Sequence, residues 1–297
     1  MAGGTPALPG AVAVPSPARA RRGELARRLA RNQLAVAGGV ILAVVAFTAV
    51  FAPCLSPRDP LEMNPPNLLE GPGAEHWLGT DEFGRDILSR VIWGARISLY
   101  VGGIAVTMAL VAGVSLGLVA GYYGGLLDDL IARVLDVVFA FPSILLALGI
   151  VGMLGPSLTN TMIAIGIVYT PVYARLTRGT TFSVKARDFV EAAVLSGAND
   201  LRVLRSHVLP NIAAPLIVQT SLSLSLAILA EASLSFLGLG TQPPDPSWGT
   251  MVNTGQRLIE LSPWPAVFPG LAIVLAVLGF NLLGDGLRDA LDPRLAE

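Results

Sequence analysis

The side chains able to do chemistry are few, and most of their familiar combinations are missing. Two histidines, His76 and His207, and one cysteine, Cys54, stand far apart in the chain. So small a set assembles neither a disulfide framework nor a His/Cys metal site. The sole lysine, Lys185, follows Phe182-Ser183-Val184 with no glycine-rich run before it, so there is no phosphate-cradling P-loop. ATP hydrolysis by that device is closed to this chain. Two features remain: Glu231, a carboxylate within an apolar run, and the polar stretch Lys185–Asn211 between two apolar ones.

A carboxylate inside an apolar helix marks function when it faces a protein interior or an aqueous path. Counted from Ile212 at about 1.5 Å per residue, Glu231 lies about 28 Å along its helix, near the far end. Two readings follow: a carboxylate that reaches interfacial water, or a residue that lines or gates a path. The 185–211 stretch reads KARDFVEAAVLSGANDLRVLRSHVLPN. Asp188 or a nearby polar group is placed to cap a short helix carrying Phe189, Val190, Ala193 and Val194. Gly197 permits the positive φ that ends it. Asn199 or Asp200 caps a second short helix with Leu201, Val203, Leu204 and Val208, stopped by Pro210. Such an elbow, small and apolar on one side, needs a groove to bury that side. The groove belongs either to a partner or to the protein's own helices and the lipid surface.

The elements that must position these residues are apolar segments. The chain is 53% hydrophobic and only 14% charged, against about 25% charged in soluble domains. Its net charge of −1 excludes a generally basic nucleic-acid surface, so no nucleic-acid partner is expected. Uncharged or nearly uncharged runs cover about 34–52, 97–121, 134–154, 158–174, 213–237 and 267–284. At about 1.5 Å per residue these predict six crossings of a ~30 Å hydrocarbon layer. Pro142 and Pro171 fall inside two of them and are read as kinks, not breaks. The first run is longer than the ~7–15 residues of a cleaved signal, and Pro53 before Cys54 spoils a lipoprotein-type site.

Arg and Lys set the orientation. With the N-terminus inside, fifteen of the twenty basic residues fall in inner segments, leaving Arg58, Arg85, Arg90, Arg96 and Arg257 outside. All four tryptophans (Trp77, Trp93, Trp248 and Trp264) then lie in the two outer loops, where such rings anchor at headgroup level. The elbow is therefore expected in the cytoplasm, with both termini. Asp81, Glu82, Arg85 and Asp86 read on their own as a solvated turn of weak ion pairs. A short surface helix is expected around Met251–Leu261, and Asp285, Arg288, Asp289, Asp292 and Arg294 are expected to pair locally.

Within the elbow, Glu191-Ala192-Ala193, three residues, Gly197, nine residues and His207-Val208-Leu209-Pro210 follow in order. This resembles the EAA loop of bacterial ABC importer permeases, and His207 with Leu209-Pro210-Asn211 is similar to the dipeptide/oligopeptide/nickel branch. The strings at 76–102, 231–240, 241–270 and 281–294 resemble the same branch, so that the likeness covers roughly residues 30–294. It implies an all-α polytopic membrane protein of six transmembrane helices, a MetI-like permease core plus an additional N-terminal helix. The implied organisation is a disordered, basic cytoplasmic tail (1–32), a first transmembrane helix (33–53), an extracytoplasmic loop (54–96), a core with five helices (97–288) and a cytoplasmic tail (289–297).

By the same resemblance, Phe189, Glu191, Ala192, Ala193, Gly197, Ala198, His207, Leu209 and Pro210 couple the chain to an ATPase. Compact Ala and Gly let the helix sit close to the partner, and Glu191 offers it a carboxylate. The commoner pattern has an aliphatic residue where this chain has His207. The implied partners are a homologous second permease subunit, two ATPase subunits, an extracytoplasmic substrate-binding protein and the lipid bilayer of the bacterial inner membrane. ATP and Mg belong to the ATPase subunits, with no cofactor or metal on this chain and no catalytic residue. The implied cargo is a di- or oligopeptide, with nickel or another small solute as the alternative. An ion-coupled carrier using Glu231 is a different class, and it lacks both an evident inverted repeat and a chain of intramembrane ionisable groups.

Overall fold

The computed structural model describes residue 27 and residues 29–291. The tail over residues 1–18, the first arginines of the basic run, Asp292 and Arg294 lie outside the described residues. Within them every named element is helical. The helices are α1 (Gln33–Val50), α2 (Ala52–Leu55), α3 (Ile87–Tyr123), α4 (Gly125–Phe139), α5 (Ser143–Leu154), α6 (Leu158–Lys185), α7 (Asp188–Leu195), α8 (Asp200–Val203), α9 (Leu209–Phe236), α10 (Trp248–Arg257) and α11 (Trp264–Leu291). A single π turn, Leu204–Val208, joins α8 to α9.

Four stretches are long and apolar enough to cross a membrane: Gln33–Val50, Ile87–Tyr123, Asp200–Phe236 and Trp264–Leu291. The segment expected to cross once over 134–154 is instead two helices, α4 and α5, bent by 88°. Pro142 is the cause. It has no N–H to donate, disfavours helical backbone in the residue before it, and itself adopts an extended ψ of 128° at the start of α5. The expected kink is a break. Pro171, by contrast, stays inside α6.

The centre of the bundle is the pair α3–α6, which makes the most extensive interhelical packing. Gly113, Gly117 and Gly121, one turn apart on α3, let the two backbones approach closely. A Cβ at Gly117 would stand 2.5 Å from the Ala174 carbonyl oxygen, and one at Gly121 would stand 2.7 Å from that of Arg178. Tyr173, Ala174, Thr177 and Thr181 are buried on the α6 side. Small residues at such a seam are the general means by which membrane helices gain packing contact. Helix α9 packs on both members, while α1 lies outside, against α11, where Gly38, Gly279 and Gly286 make a second close approach.

Replacing Gly117 by Ala should destabilise the protein by about 1–3 kcal/mol, because the added methyl meets backbone, not a movable side chain. Gly103, which has nothing within 4 Å of a built Cβ, should accept Ala without loss. Thermal unfolding of the two purified variants in detergent measures the difference.

Candidate functional site

The elbow forms as two helices around Gly197, whose φ of +83° is the left-handed conformation glycine adopts without penalty. Ending the first helix there lets the N–H of Gly197 reach the Val194 carbonyl (2.9 Å) and that of Ala198 reach Ala193 (3.1 Å). Arg187, not Asp188, occupies the N-cap of α7, and no side chain closes it. Asp188 and Glu191 instead sit in the first turn, where their charge meets the positive end of the helix dipole. Asn199 caps α8, its Oδ1 accepting from the Arg202 N–H at 2.9 Å.

Pro210 does not stop the second helix. The chain runs on through the π turn into α9, with the Leu209 N–H bonded to the Leu204 carbonyl. A wider turn just ahead of Pro210 accommodates its ring and its missing N–H. The second arm of the elbow is thus one continuous rod with a long apolar helix.

Burial divides the elbow into two faces. Val190, Val203 and Val208 point inward and are buried with Tyr122 and Val184. Phe189, Glu191, Ala192, Gly197 and Pro210 are exposed, while Ala193, Ala198, His207 and Leu209 are half-covered. Leu195, absent from the apolar residues expected on the elbow, is 82% exposed, and Leu201, expected on the second short helix, is 62% exposed. Those two leucines, Val194 and Phe189 form the apolar part of the open face. Leu195 lies about 140° around α7 from Val190 and Leu201 about 160° around α8 from Val203, a spacing readable in the sequence. Val194, one turn from Val190, is not signalled in this way. His207 faces partly inward, and its Nδ1 is buried without a hydrogen-bond partner.

Glu231 is fully buried, so the reading that it reaches interfacial water is not met. Its carboxylate accepts hydrogen bonds from Ser235 Oγ at 2.7 Å, Ser247 Oγ at 3.1 Å and Ser98 Oγ at 3.2 Å. These donors come from α9, from the segment before α10 and from α3. A buried carboxylate is tolerated when its lone pairs are satisfied in this way. A cavity of about 300 Å³ between α5, α6 and α9 is lined by Ala147, Ile165, Tyr169 and Ser233, among others, but not by Glu231. Ser235, four residues on, is legible from spacing; Ser98 and Ser247 are not.

Beside this knot, Trp248 is buried and donates its indole N–H to the Val91 carbonyl at 2.9 Å. It is not an interfacial anchor, and α10 begins with it, three residues ahead of the expected surface helix. In the charge cluster leading into α3, Asp81, Arg85 and Asp86 are also buried, not solvated, and Glu82 is half-buried. Arg85 Nε lies 2.7 Å and Arg90 Nε 3.4 Å from the same oxygen of Asp81. Asp86 caps α3 through the Ser89 N–H at 2.8 Å and holds His76 Nδ1 at 2.9 Å. No group of three or more His, Cys, Asp or Glu among the described residues is placed to hold a metal ion.

A bundle of long apolar helices with an elbow at one end and buried polar knots holding the loops at the other defines a polytopic membrane component. The chain belongs to the family described as the binding-protein-dependent transport system inner membrane component, which matches residues 113–297. Residues 22–72 match the N-terminal transmembrane domain of oligopeptide transport permease C. The dipeptide transport system permease protein DppC of Alkalihalophilus pseudofirmus is 51% identical over 92% of this chain and 90% of its own length. The di/tripeptide permease protein DppC of Pseudomonas aeruginosa is 48% identical over 98% and 96%. The glutathione transport system permease protein GsiD of Pectobacterium atrosepticum is 46% identical over 92% and 91%. Inward-facing structures of the MetNI methionine ABC transporter share the fold, with TM-score 0.57 and 15% identity, over 69% of this chain and 98% of that one. The chain is therefore a multi-pass inner-membrane permease subunit of an ABC importer.

Replacing Glu231 by Ala leaves three serine hydroxyls without their acceptor and should destabilise the protein by about 2–3 kcal/mol. The loss of one donor in Ser247→Ala should cost less, about 1 kcal/mol. Melting temperatures in detergent check both.

Proposed function

We propose that this chain forms one side of the path of an ATP-driven importer of di- or oligopeptides, paired with a homologous permease subunit. A binding protein delivers the cargo outside, and two ATPase subunits, holding ATP and Mg, dock on the elbow. The observation that carries this reading is the elbow itself. Val190, Val203 and Val208 are committed inward, while small residues, Val194 and bare leucines are left facing out on an otherwise charged segment. The substrate class is supported by the relatives, whose names specify dipeptide, di/tripeptide and glutathione transport.

In this reading six helices cross. They are the four long apolar stretches, the bent pair α4–α5 taken as one span, and α6. The first seventeen residues of α6, Leu158–Ala174, are uncharged, and its 28 residues give about 42 Å of length at about 1.5 Å each. Helix α1 is the addition to the MetI-like core, consistent with a structural neighbour that covers only 69% of this chain. Both termini and the elbow lie in the cytoplasm, on the strength of the basic residues. ATP-driven closure of the ATPases then displaces the elbow, and the helices repack between inward-open and outward-open arrangements. Glu231 gates in a limited sense: it fastens the outer loop to α3 and α9, so that the loop travels with them.

Co-purification with the ATPase subunits and uptake of a radiolabelled dipeptide in proteoliposomes test the proposal. Wild type should retain the ATPases and import only with ATP. Gly197→Trp, strained at φ +83° and bulky on the docking face, should lose at least tenfold of uptake. Full uptake without any ATPase subunit would overturn the reading. For the cargo, the cognate binding protein should bind dipeptides in preference to Ni²⁺; binding of Ni²⁺ alone would refute a peptide substrate.

A further inference from the structure

The elbow is gripped by the last turn of α3 at two points, and neither grip involves the residues expected to touch an ATPase. Tyr122 and Tyr123 donate their hydroxyls to the two different oxygens of Asp200, at 3.0 and 3.1 Å. Their rings meet edge to face with centroids 5.2 Å apart. Consecutive residues of a helix project about 100° apart, so two neighbouring hydroxyls do not ordinarily converge on one carboxylate. They do so here at the very end of α3, where Gly124, at φ +70°, turns the chain away. Asp200 is the first residue of α8 and so belongs to the rod that continues into α9.

The second grip is Lys185, the only lysine in the chain. Its ammonium donates to the Tyr122 carbonyl at 2.5 Å and lies 5.2 Å from the centre of the Tyr122 ring. That carbonyl is among the last four of α3, which have no partner within their own helix. One turn of α3 therefore holds the entry of the elbow through Lys185 and its second arm through Asp200. Between the grips hangs α7, fastened inward by Val190 alone of its residues and otherwise open or half-open.

We propose that Asp200 is a positioning residue for coupling: the Tyr122–Tyr123 clamp makes α3 follow the elbow, so that a push on α7 moves α3 and α9 together. Without the clamp, displacement still enters α9 along the continuous backbone but no longer reaches α3. The glycine seam then passes the motion from α3 to α6. This rests on the reading of the elbow as the ATPase-docking element, and the experiment separates the two.

The test uses the complete importer (both permease subunits, ATPases and binding protein) in proteoliposomes, with a dipeptide as cargo. Wild type, Tyr122→Phe/Tyr123→Phe, Asp200→Asn and Asp200→Glu are compared for ATPase retention, ATP hydrolysis and dipeptide imported per ATP. In the double Phe variant and in Asp200→Asn, the ATPases should be retained in wild-type amount and hydrolysis should continue. Import per ATP should fall at least fivefold, and stimulation by loaded binding protein should be lost. Each single Tyr→Phe variant should be intermediate, and Asp200→Glu, which keeps the carboxylate, should recover part of the loss. An unchanged import per ATP in the double Phe variant would overturn the proposal. So would loss of ATPase retention in the variants, which would make Asp200 a docking or folding residue. Failure of wild type to retain the ATPases would instead sink the reading of the elbow.

Discussion

The close approach of α3 and α6 along Gly113, Gly117 and Gly121 is the constraint on which the other features depend. In a hydrocarbon environment apolar side chains gain nothing by leaving lipid for another apolar side chain, so association rests on contact and on satisfied polar groups. Three glycines in register supply that contact by bringing backbone against backbone. Once the seam is made, the end of α3 and the end of α6 are held side by side. Lys185, closing α6, is then within reach of the Tyr122 carbonyl. The elbow starts from that fixed corner.

At the other end of the bundle the same helix is secured by polar groups. Asp86 caps it and Arg90 reaches back to the Pro60 carbonyl at 3.0 Å. Ser98 donates to Glu231, and Val91 offers its carbonyl to Trp248. Each knot is a set of groups that would be costly to bury alone and is tolerated because every strong charge has a partner. The result is a helix tied to the loops at one end and to the elbow at the other. In the proposed coupling such a helix would move as a body, because packed elements move between discrete arrangements and do not deform smoothly.

Much of this was legible in the residues. The apolar runs located the long helices, and the elbow's halves followed from Gly197 and Asn199, whose backbone and capping preferences are local. What failed was whatever depended on partners distant in sequence. For Glu231 the interfacial-water reading, one of two left open, rested on its position along the helix, which is local information. Its three serine donors are not, since Ser98 and Ser247 lie on other elements. Asp81, Arg85 and Asp86 looked solvated for the same reason, and Trp248 looked like a headgroup anchor. Pro142 and Pro210 went wrong in opposite directions. A proline's effect is set by whether the surrounding backbone can widen, as the π turn before Pro210 does, or must bend, as at 140–142. Asp200 was visible only as a capping candidate; nothing in the sequence joins it to Tyr122 and Tyr123, more than seventy residues away.

The central claim is that the open face of the elbow is cytoplasmic and is covered by an ATPase. Leu195, the most exposed large apolar residue of that face, reports on it directly. With Cys54, itself exposed, changed to Ser, a single cysteine at Leu195→Cys can be probed with a membrane-impermeant maleimide in right-side-out and inside-out vesicles. The account predicts labelling only where the cytoplasmic face is accessible, and its suppression when the ATPase subunits are bound. Labelling from the extracytoplasmic side, or labelling indifferent to the ATPases, would contradict it.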